Sequence, residues 1–543
     1  MEGLIFLFLT AVVISSLGSD LRVAAYDLGE PYTPAEWEKH AEETLNDILN
    51  RVPVKQRAKN IILFIGDGMG LPTIAAARIL KGQLKGKYEI PLAFEKFPYT
   101  ALSKTHSADR QVADSASTAT AYLGGVKTNF GMSGMAAPYP FGKCGNDSEY
   151  EKNKVDSILT LAHKAGKSTG IVSTCRLTHA SPSACYAHTA DRDWESDADM
   201  VGVKGGCSDI AKQLIDDNKY IQVMMGGGRY KFLPRDYMDP EKKETITSGR
   251  LDKRNLPEEW EKEKKDKNLK YKYVWNKGQF DAIDPKETDY VLGLFEPSHM
   301  QFDLDRDTSA AGEPSLAEMV EKAIKILKKN KNGFFLFVEG GKIDSAHHDT
   351  LAKKALYEAL GLDKAVETAL KLVDLKETLV IATADHSISF QTLGYGTRNN
   401  SILGLVDRIA WGGASDNMPY ASLVYSSGPN HPAGRKNLTN VAIDADNYLP
   451  QVGVPLNYSS HTGEDVAIYS IGPWAHLFQG SMEQTNIHHF MAYAACLGNY
   501  DYAAKAENCK GVNAATSLLP NQLIFWVALI SLFNLFVTFD WLG

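Results

Sequence analysis

The segment that most constrains the fold is GFFLFVEGGKIDSAHH, residues 333–348. It contains five consecutive apolar residues, 334–338, rich in aromatic and β-branched types, which is typical of a strand buried on both faces of a parallel sheet. The run ends at Glu339, and Asp344 and His348 follow four residues apart, on one face if this part is helical. Carboxylates and an imidazole directly after a buried strand indicate a divalent metal site. The alternative is a strand whose terminal acid caps a helix, followed by a solvated histidine patch.

Two further segments have the same pattern. NIILFIGDGMG at 60–70 is an apolar run that ends at Asp67, and TLVIATADH at 378–386 ends at Asp385 and His386. In open α/β sheets, ligands bind beyond the carboxyl ends of the strands. We therefore predict that the three strand ends converge on one metal site.

Composition limits the class of protein. Of the 543 residues, 44% are hydrophobic and 23% are charged, which is typical of a globular chain with an ample core. The formal net charge is −8, and no long Lys/Arg run lies outside the mixed-charge segment 235–272, so a nucleic-acid partner is not expected. That segment is expected to be a helical insertion that is exposed to solvent. An anionic substrate is compatible with the negative balance, because bound metals reverse the local field.

Strand and helix patterns alternate along most of the chain. The alternation predicts a doubly wound α/β fold, in which a mostly parallel central sheet has helices on both faces. An amphipathic helix is predicted over 314–329, directly before the strand that starts at 334. The alternation stops after residue 388, where the chain becomes rich in Gly, Asn and Ser. We interpret 389–460 as an inserted, glycosylated, crown-like subdomain.

Both ends of the chain have the pattern of processing signals. An apolar core over 4–14 and small residues at 16 and 18 predict a signal peptide over 1–18. Residues 523–539 are strongly apolar, no Lys or Arg follows them, and small residues precede them. This layout predicts a GPI-anchor signal over 513–543 that is removed, with Asn513 as the anchor residue. The alternative is a retained membrane helix.

The predicted organisation has six parts: a signal peptide (1–18), an N-terminal arm helix and lead-in (19–59), an α/β core (60–388), the crown-like subdomain (389–460), the C-terminal part of the core (461–512) and the anchor signal (513–543). The arm helix is predicted from Thr33 as a cap, Pro34 in the first turn and Glu36 completing a capping box. It is either an arm against a partner subunit or a surface helix of the same domain.

Six cysteines and four N-x-S/T sequons fit a secreted chain. We expect the disulfides Cys144–Cys207 and Cys496–Cys509, while the states of Cys175 and Cys185 stay open. The sequons make four asparagines candidate glycan sites on surface loops: Asn146, Asn399, Asn437 and Asn457.

Ser115 is the candidate nucleophile. The stretch ADSASTATAY at 113–122 predicts a helix that starts near Ser115. Backbone N–H groups and the positive end of the helix dipole would favour an ionised hydroxyl and a bound phosphate there. The alternative is that Asp114 or Ser115 is simply an N-cap. The polar stretch THASPSACYAHTADR at 178–192 follows another predicted strand and fits a ligand-binding loop.

Taken together, these segments resemble the animal alkaline phosphatases. The resemblance covers residues 33–509 and rests on GDGMG, DSASTATAY, THASPSACYAHTADR, LFEP, FFLFVEGGKIDSAHH, TADHS and HTGEDV, in this order. It implies hydrolysis of phosphate monoesters through a phosphoserine intermediate with an alkaline pH optimum. It also implies two zinc ions and one magnesium ion, and a homodimer that a GPI anchor holds at the cell surface.

The resemblance also implies residue roles. Asp344, His348 and His461 would hold the first zinc ion. The second zinc ion would be held by the Ser115 oxygen and by three side chains: Asp67, Asp385 and His386. The magnesium ion would be held by Asp67, Ser181 and Glu339.

Arg192 would bind the phosphate, with Asp114 and His179 around it. A fourth, calcium-like site would be formed by four residues: Glu241, Phe295 through its carbonyl, Glu296 and Glu313.

This sequence departs from the family pattern at two positions. Glu313 stands where the family often has aspartate, and Ser345 stands where many vertebrate members have histidine. His347 is not a ligand in that pattern. A sulfatase on the same fold would need a C/S-x-P-x-R motif, which is absent. A receptor that has lost catalysis should lack a ligand or the nucleophile, and all of them are present.

Overall fold

The computed structural model describes residues 33–407, 414–498 and 509. The predicted signal peptide, the predicted anchor signal and the predicted anchor residue Asn513 lie outside these residues. The chain divides into two compact units, one that ends at Arg51 and one that begins at Val52. In the part of the chain described, none of the helices has the length and apolar character that crossing a bilayer requires.

The α-helices are α1 (Pro34–Leu49), α2 (Leu71–Gln83), α3 (Ser115–Gly124), α4 (Ser148–Asn153), α5 (Ile158–Lys164), α6 (Ala180–Ser183), α7 (Ile210–Asp216), α8 (Arg229–Phe232), α9 (Leu256–Asp266), α10 (Lys277–Asp281), α11 (Leu316–Leu327), α12 (Lys342–His348), α13 (Ala352–Leu372) and α14 (Thr485–Ala495). Short 3₁₀ turns lie at Phe94–Lys96, Asp197–Met200 and Ala475–Leu477.

The strands are β1 (Asn60–Gly66), β2 (Tyr99–Lys104), β3 (Ser168–Arg176), β4 (Val223–Gly227), β5 (Tyr271–Val274), β6 (Tyr290–Leu294), β7 (Phe334–Gly340), β8 (Thr378–Ala384), β9 (Ser387–Ile388), β10 (Phe390–Thr392), β11 (Leu423–Gly428), β12 (Val452–Pro455), β13 (His461–Thr462), β14 (Val466–Ile471) and β15 (Gly480–Glu483).

A ten-stranded sheet forms the centre of the second unit, in the order β15-β2-β14-β8-β1-β7-β3-β4-β6-β5. The seven strands from β8 to β5 are parallel, and β14 runs antiparallel to both of its neighbours. Side chains alternate between two apolar cores, since Ile62 and Phe64 pack on one face with α2, α11 and α13, while Ile61 and Leu63 pack on the other with α3, α5, α7 and α14. The predicted doubly wound α/β fold is therefore confirmed.

The three strands that the apolar runs predicted are neighbours in this sheet, in the order β8-β1-β7. Gly66, the last residue of β1, pairs with Gly340 on one side and with Ala384 on the other. The three parallel strands thus end at the same level. The residues that directly follow these strands therefore lie at one edge of the sheet, which is where α/β proteins bind ligands.

The helices predicted from caps and apolar spacing are present. Thr33 and Glu36 form a capping box at the start of α1, which belongs to the first unit. Ser315 and Glu318 form another at the start of α11. The apolar residues of α11 are buried against the sheet and α13 because they recur on one face of the helix.

Residues 389–460 contain a separate three-stranded sheet, in the order β10-β11-β12. This part of the chain falls within the second compact unit. Cys144 is bonded to Cys207 and Cys496 to Cys509, while Cys175 and Cys185 are buried thiols.

Candidate metal centre and its nucleophile

The carboxylates at the three strand ends meet at one place. Asp67 follows β1, Glu339 is the next-to-last residue of β7, and Asp385 follows β8; all three are fully buried. Gly68 has a φ of +67°, and a Cβ at this position would lie 2.8 Å from Asp344 Oδ1. Its N–H donates to Asp385 Oδ1 at 3.0 Å. A glycine is needed here because the chain turns in a left-handed conformation against two candidate ligands.

A first ligand set consists of Asp344 and His348 on α12 and His461 on β13. His348 Nε2 lies 3.0 Å from Asp344 Oδ2 and 3.1 Å from His461 Nε2, and His461 Nε2 lies 3.6 Å from Asp344 Oδ1. Ligand atoms about 2.0–2.1 Å from a tetrahedral zinc ion would lie about 3.3 Å apart. These three side chains therefore lie close enough to share one zinc ion, with His348 and His461 facing different oxygens of Asp344. Asp344 and His461 also lie together with His386.

A second set consists of Asp67, Asp385 and His386, with Ser115 beside them. His386 Nε2 lies 3.1 Å from Asp385 Oδ2 and 3.6 Å from Asp67 Oδ1. Ser115 Oγ lies 3.1 Å from His386 Nε2 and 3.3 Å from Asp67 Oδ1. Four atoms on four side chains thus surround one position, and one of them is the candidate nucleophile. The rings of His386 and His461 stack at 3.6 Å, so the two sets adjoin.

Backbone carbonyls fix the three histidines in the orientation that metal binding needs. Nδ1 of His348 lies 2.6 Å from the Ser459 carbonyl oxygen, and Nδ1 of His461 lies 2.8 Å from that of Ala113. Nδ1 of His386 lies 3.2 Å from the Ser387 carbonyl oxygen. A carbonyl only accepts, so Nδ1 of each ring carries a proton and Nε2 faces the carboxylates. Against the effect of burial, the Asp344 carboxylate raises the pKa of His348 to about 9, so a metal cation would have to displace a second proton from this ring.

A third group of oxygens has unused hydrogen-bonding capacity. Glu339 Oε1 and Ser181 Oγ are buried, and neither has a partner with good hydrogen-bond geometry among the described residues. Ser181 lies near enough to Glu339 to offset part of the rise in its pKa. The other oxygen of Glu339 accepts from Ser173 Oγ. Asp67 lies close enough to Glu339 for the Glu339 charge to raise the pKa of Asp67. Orphaned oxygens on hard ligands fit a magnesium ion, which prefers oxygen donors.

Burial and mutual repulsion raise the pKa of three carboxyls of the site when no cation is bound, whereas the His348 charge, against the effect of burial, holds the pKa of Asp344 well below its usual range. Burial, followed by the charge of Asp385, raises the pKa of Asp67 well above its usual range. Burial raises the pKa of Glu339 to about 7 and that of Asp385 to about 6. Burial also lowers the pKa of His386 and of His461 to about 4, so both rings are neutral at physiological pH. Metal cations would release the carboxyl protons and use the neutral imidazoles as ligands.

Arg192 is held by two neighbours, one of which, Asp114, directly precedes the candidate nucleophile. Its Nη1 donates to Asp114 Oδ2 at 3.0 Å, and its Nη2 lies 3.2 Å from His179 Nε2. Asp114 is the N-cap of α3 and accepts from the N–H groups of Ala116 and Ser117. The helix that presents Ser115 thus also orients the guanidinium through Asp114. A planar guanidinium in this place can bind two phosphate oxygens at once.

The second acidic cluster, Glu241, Glu296 and Glu313, is arranged differently. Lys242 Nζ lies 2.6 Å from Glu241 Oε1 and 3.2 Å from Glu296 Oε2. Glu296 and Phe295 follow β6, while Glu313 accepts from the Gln301 N–H at 2.8 Å. Among the residues described, these three carboxylates do not gather within 4.8 Å of one another as the metal-centre ligands do. An ammonium lies between two of them, so the arrangement does not fit a calcium ion as it stands, and the calcium site stays a prediction.

Some residues of the site could not be recognised as site residues from the sequence. Ser173 contacts Glu339 because β3 pairs with β7 in a register that sets these two residues side by side. Ser459 holds His348 through its backbone only. Pairing across the sheet and backbone contacts of this kind follow from the tertiary fold. His347, which was not expected to be a ligand, is buried beside Thr73 and Tyr425.

The fold and the site define a class of protein: an enzyme of the doubly wound α/β type with a metal centre and a serine at the carboxyl edge of its sheet. Comparison with known proteins agrees. A family model described as alkaline phosphatase matches residues 58–497. The chain is 45% identical over 513 residues to the tissue-nonspecific isozyme of alkaline phosphatase from Rattus norvegicus, with 93% of this chain and 95% of the relative covered. It is 46% identical over 477 residues to the alkaline phosphatase of Gadus morhua, with 86% and 98% covered.

Solved structures share the fold. The alkaline phosphatase of Thermus thermophilus matches with a TM-score of 0.59 at 22% identity, over 83% of this chain and 94% of that one. The alkaline phosphatase of the Antarctic bacterium TAB5 matches with a TM-score of 0.55 at 20% identity, over 82% and 100%. The chain belongs to the alkaline phosphatase family. It is a metal-dependent enzyme that hydrolyses phosphate monoesters.

Proposed function

We propose that this enzyme forms a phosphoserine at Ser115 and uses two zinc ions and one magnesium ion. The observation that carries the proposal is the position of Ser115 Oγ, 3.1 Å from His386 Nε2 and 3.3 Å from Asp67 Oδ1 at the N-terminus of α3. A serine hydroxyl surrounded by candidate metal ligands has a direct route to activation, since a cation stabilises its ionised form.

The metal complement follows from the chemistry of the donor sets. Asp344, His348 and His461 would hold one zinc ion, because they mix imidazole and carboxylate at tetrahedral spacing. Asp67, Asp385 and His386 would hold the other. Asp67, Ser181 and Glu339 offer only oxygen and would hold magnesium. When bound, these cations would lower the pKa of the serine hydroxyl and of water, and stabilise charge on the leaving oxygen.

The reaction has two displacements. Ser115 Oγ forms a bond to phosphorus as the ester P–O bond breaks, and the alcohol leaves. Water then attacks phosphorus, the Ser115–phosphate bond breaks, and inorganic phosphate is released with Ser115 regenerated. Arg192 would hold two non-bridging oxygens in both steps, since Asp114 and His179 fix its guanidinium beside the nucleophile. We expect an alkaline optimum, as the resemblance implies.

The setting of the enzyme is also part of the proposal. A GPI anchor on Asn513 and a location on the outer face of the plasma membrane are supported by the apolar segment 523–539, which lacks a basic flank. The homodimer rests on the resemblance alone. The four sequon asparagines are exposed and open to glycosylation: Asn146, Asn399, Asn437 and Asn457.

The test measures hydrolysis of p-nitrophenyl phosphate by the secreted enzyme across pH, with metal content measured in parallel. We expect activity to rise on the alkaline side, to disappear on chelation and to return with zinc and magnesium. Ser115→Ala should lower kcat by at least about 10³-fold, because the covalent route is lost. Ser117→Ala, two residues further along the same helix, is the matched control. Full activity of Ser115→Ala, or activity indifferent to chelation, would overturn the mechanism.

A further inference from the structure

One sequon lies at the rim of the metal centre. Ser459, the third residue of the sequon Asn457–Tyr458–Ser459, is fully buried. Its N–H donates to the His348 carbonyl at 2.8 Å, and its own carbonyl oxygen lies 2.6 Å from His348 Nδ1. Its hydroxyl pairs with Ser389 Oγ at 2.8 Å. The last residue of the sequon is therefore hydrogen-bonded to a candidate zinc ligand, His348.

The other two residues of the sequon face outward. Tyr458 is 57% exposed, and its ring stands edge-on to the His348 ring with centroids 5.3 Å apart. Asn457 is also exposed. Two residues of extended chain span at most about 7 Å, so the Asn457 Cα lies within about that distance of the Ser459 Cα. A group attached to Asn457 is thus anchored close to His348, a candidate ligand whose side chain is 28% exposed.

We propose that an N-linked glycan on Asn457 stands at the mouth of the metal centre and selects substrates by size. Small phosphate monoesters would diffuse past it, whereas phosphorylated proteins would be held away. The inference rests on the proposed function of the same site, because it assumes that substrate phosphate reaches Ser115.

Access to Ser115 from solvent is limited. Ser115 is only 2% exposed, so a substrate must bring its phosphate into a recess before reaction. A macromolecular substrate can do this only if its own surface approaches the rim closely. An N-linked glycan is bulky and strongly hydrated, and it would occupy the space that this approach requires. A small ester has no such surface to accommodate.

The sequon at Asn437 provides a matched control. Asn437 is exposed like Asn457 and also lies within 389–460. Its side-chain oxygen accepts from the Thr439 N–H at 3.0 Å, which is a local turn. Asn437→Gln therefore removes a sequon of the same kind, whereas Asn457→Gln removes the one fastened to His348.

The experiment uses the secreted enzyme from cells that add N-glycans, as wild type, Asn457→Gln and Asn437→Gln. Mass spectrometry of glycopeptides measures occupancy, and kcat/KM is measured for p-nitrophenyl phosphate and for phosphorylated casein. For Asn457→Gln we expect kcat/KM to change less than about twofold for the small ester and to rise at least about tenfold for the phosphoprotein. Asn437→Gln should change neither. Enzymatic removal of glycans from the folded wild type should reproduce the Asn457→Gln result, which separates the glycan from any effect of the substitution on folding.

The outcomes distinguish the two proposals. An unoccupied Asn457 would overturn the size filter and leave the proposed function standing. Equal changes for both substrates, or the same change in Asn437→Gln, would also overturn the filter alone. A wild type without metal-dependent activity toward p-nitrophenyl phosphate would overturn the proposed function and the filter with it.

Discussion

The molecule contains two groups of buried or half-buried carboxylates that solve the same electrostatic problem differently. At the metal centre, no Lys or Arg within the described ranges forms an ion pair with Asp67, Glu339 or Asp385. In the second acidic cluster, Lys242 contacts Glu241 and Glu296, and Arg229 Nη2 lies 2.6 Å from Glu241 Oε2. Among the described residues, Asp67, Glu339 and Asp385 therefore have no Lys or Arg to balance them. In the second acidic cluster, Glu241 and Glu296 have such a partner.

This difference indicates which carboxylates need a bound metal cation. A buried carboxylate is costly unless it is paired or coordinates a metal. Among the described residues of the metal centre, the possible partners are histidines. Burial keeps His386 and His461 neutral, with pKa values near 4. Against the effect of burial, the Asp344 carboxylate raises the pKa of His348 to about 9, so this charged ring is paired with Asp344. For Asp67, Glu339 and Asp385, metal ions are then the remaining source of positive charge. In the second acidic cluster the Lys242 ammonium already supplies part of it.

The largest effect should follow from removing one ligand of the metal centre. Asp385→Asn keeps the size of the side chain but removes a negative charge that lies 3.1 Å from His386 Nε2. We expect loss of about one zinc ion per chain and a fall in kcat/KM of at least about 10³-fold, since the metal stabilises the transition state. Metal content by mass spectrometry and hydrolysis of p-nitrophenyl phosphate measure both.

Asp374→Asn is the control for that variant. Asp374 is exposed just before β8, at the opposite end of the strand that delivers Asp385. Its substitution should alter neither metal content nor rate. If Asp385→Asn kept its zinc and its activity, the carboxylates of the strand ends would not be the ligands.

The strand ends that carry the carboxylates of the metal centre could be predicted from the sequence. The cations that lie beside other buried carboxylates could not, for a physical reason. The strands β1, β7 and β8 are buried on both faces, so their apolar runs are continuous and their terminal acids stand out. The mixed-charge segment 235–272 was expected to be solvated, and that expectation is wrong for Arg250, which is fully buried with both guanidinium Nη atoms 2.8 Å from Asp209. A charge is buried where the tertiary fold brings a partner to it, and local sequence does not contain that information. The position of Lys242 between two glutamates likewise follows from the tertiary fold and could not be predicted from the local sequence.

A smaller effect is expected when Lys242 is removed from the second acidic cluster. Lys242→Met leaves Glu241 and Glu296 without the ammonium. The free energy of unfolding should fall by about 2 kcal/mol in the presence of a chelator, a value kept low because the lysine side chain is 36% exposed. Calcium at millimolar concentration should restore it in the variant, whereas it should scarcely change the wild type. Denaturant unfolding with and without calcium measures this.

Lys262→Met, at an exposed lysine on α9, is the matched control and should show no calcium response. A wild type that calcium itself stabilises strongly would mean that the ion displaces Lys242, and the calcium site implied by the family resemblance would then be present. That result would remove the distinction between the two groups of carboxylates.

The smallest effect concerns Glu313, the one member of the second acidic cluster that Lys242 does not contact. Burial and the charge of Glu296 raise the pKa of Glu313 to about 8, and its Oε2 has no hydrogen-bond partner among the described residues. The folded state therefore holds this proton more tightly than the unfolded state does. The stabilisation is complete below the ordinary carboxyl pKa of about 4.5 and is lost as pH rises toward 8. Glu313→Gln removes the titration, so its free energy of unfolding relative to wild type should rise by at least about 1 kcal/mol between pH 6 and pH 9. Unfolding curves with a chelator present measure the difference, and a gap that stays constant with pH would mean that Glu313 is already ionised and paired.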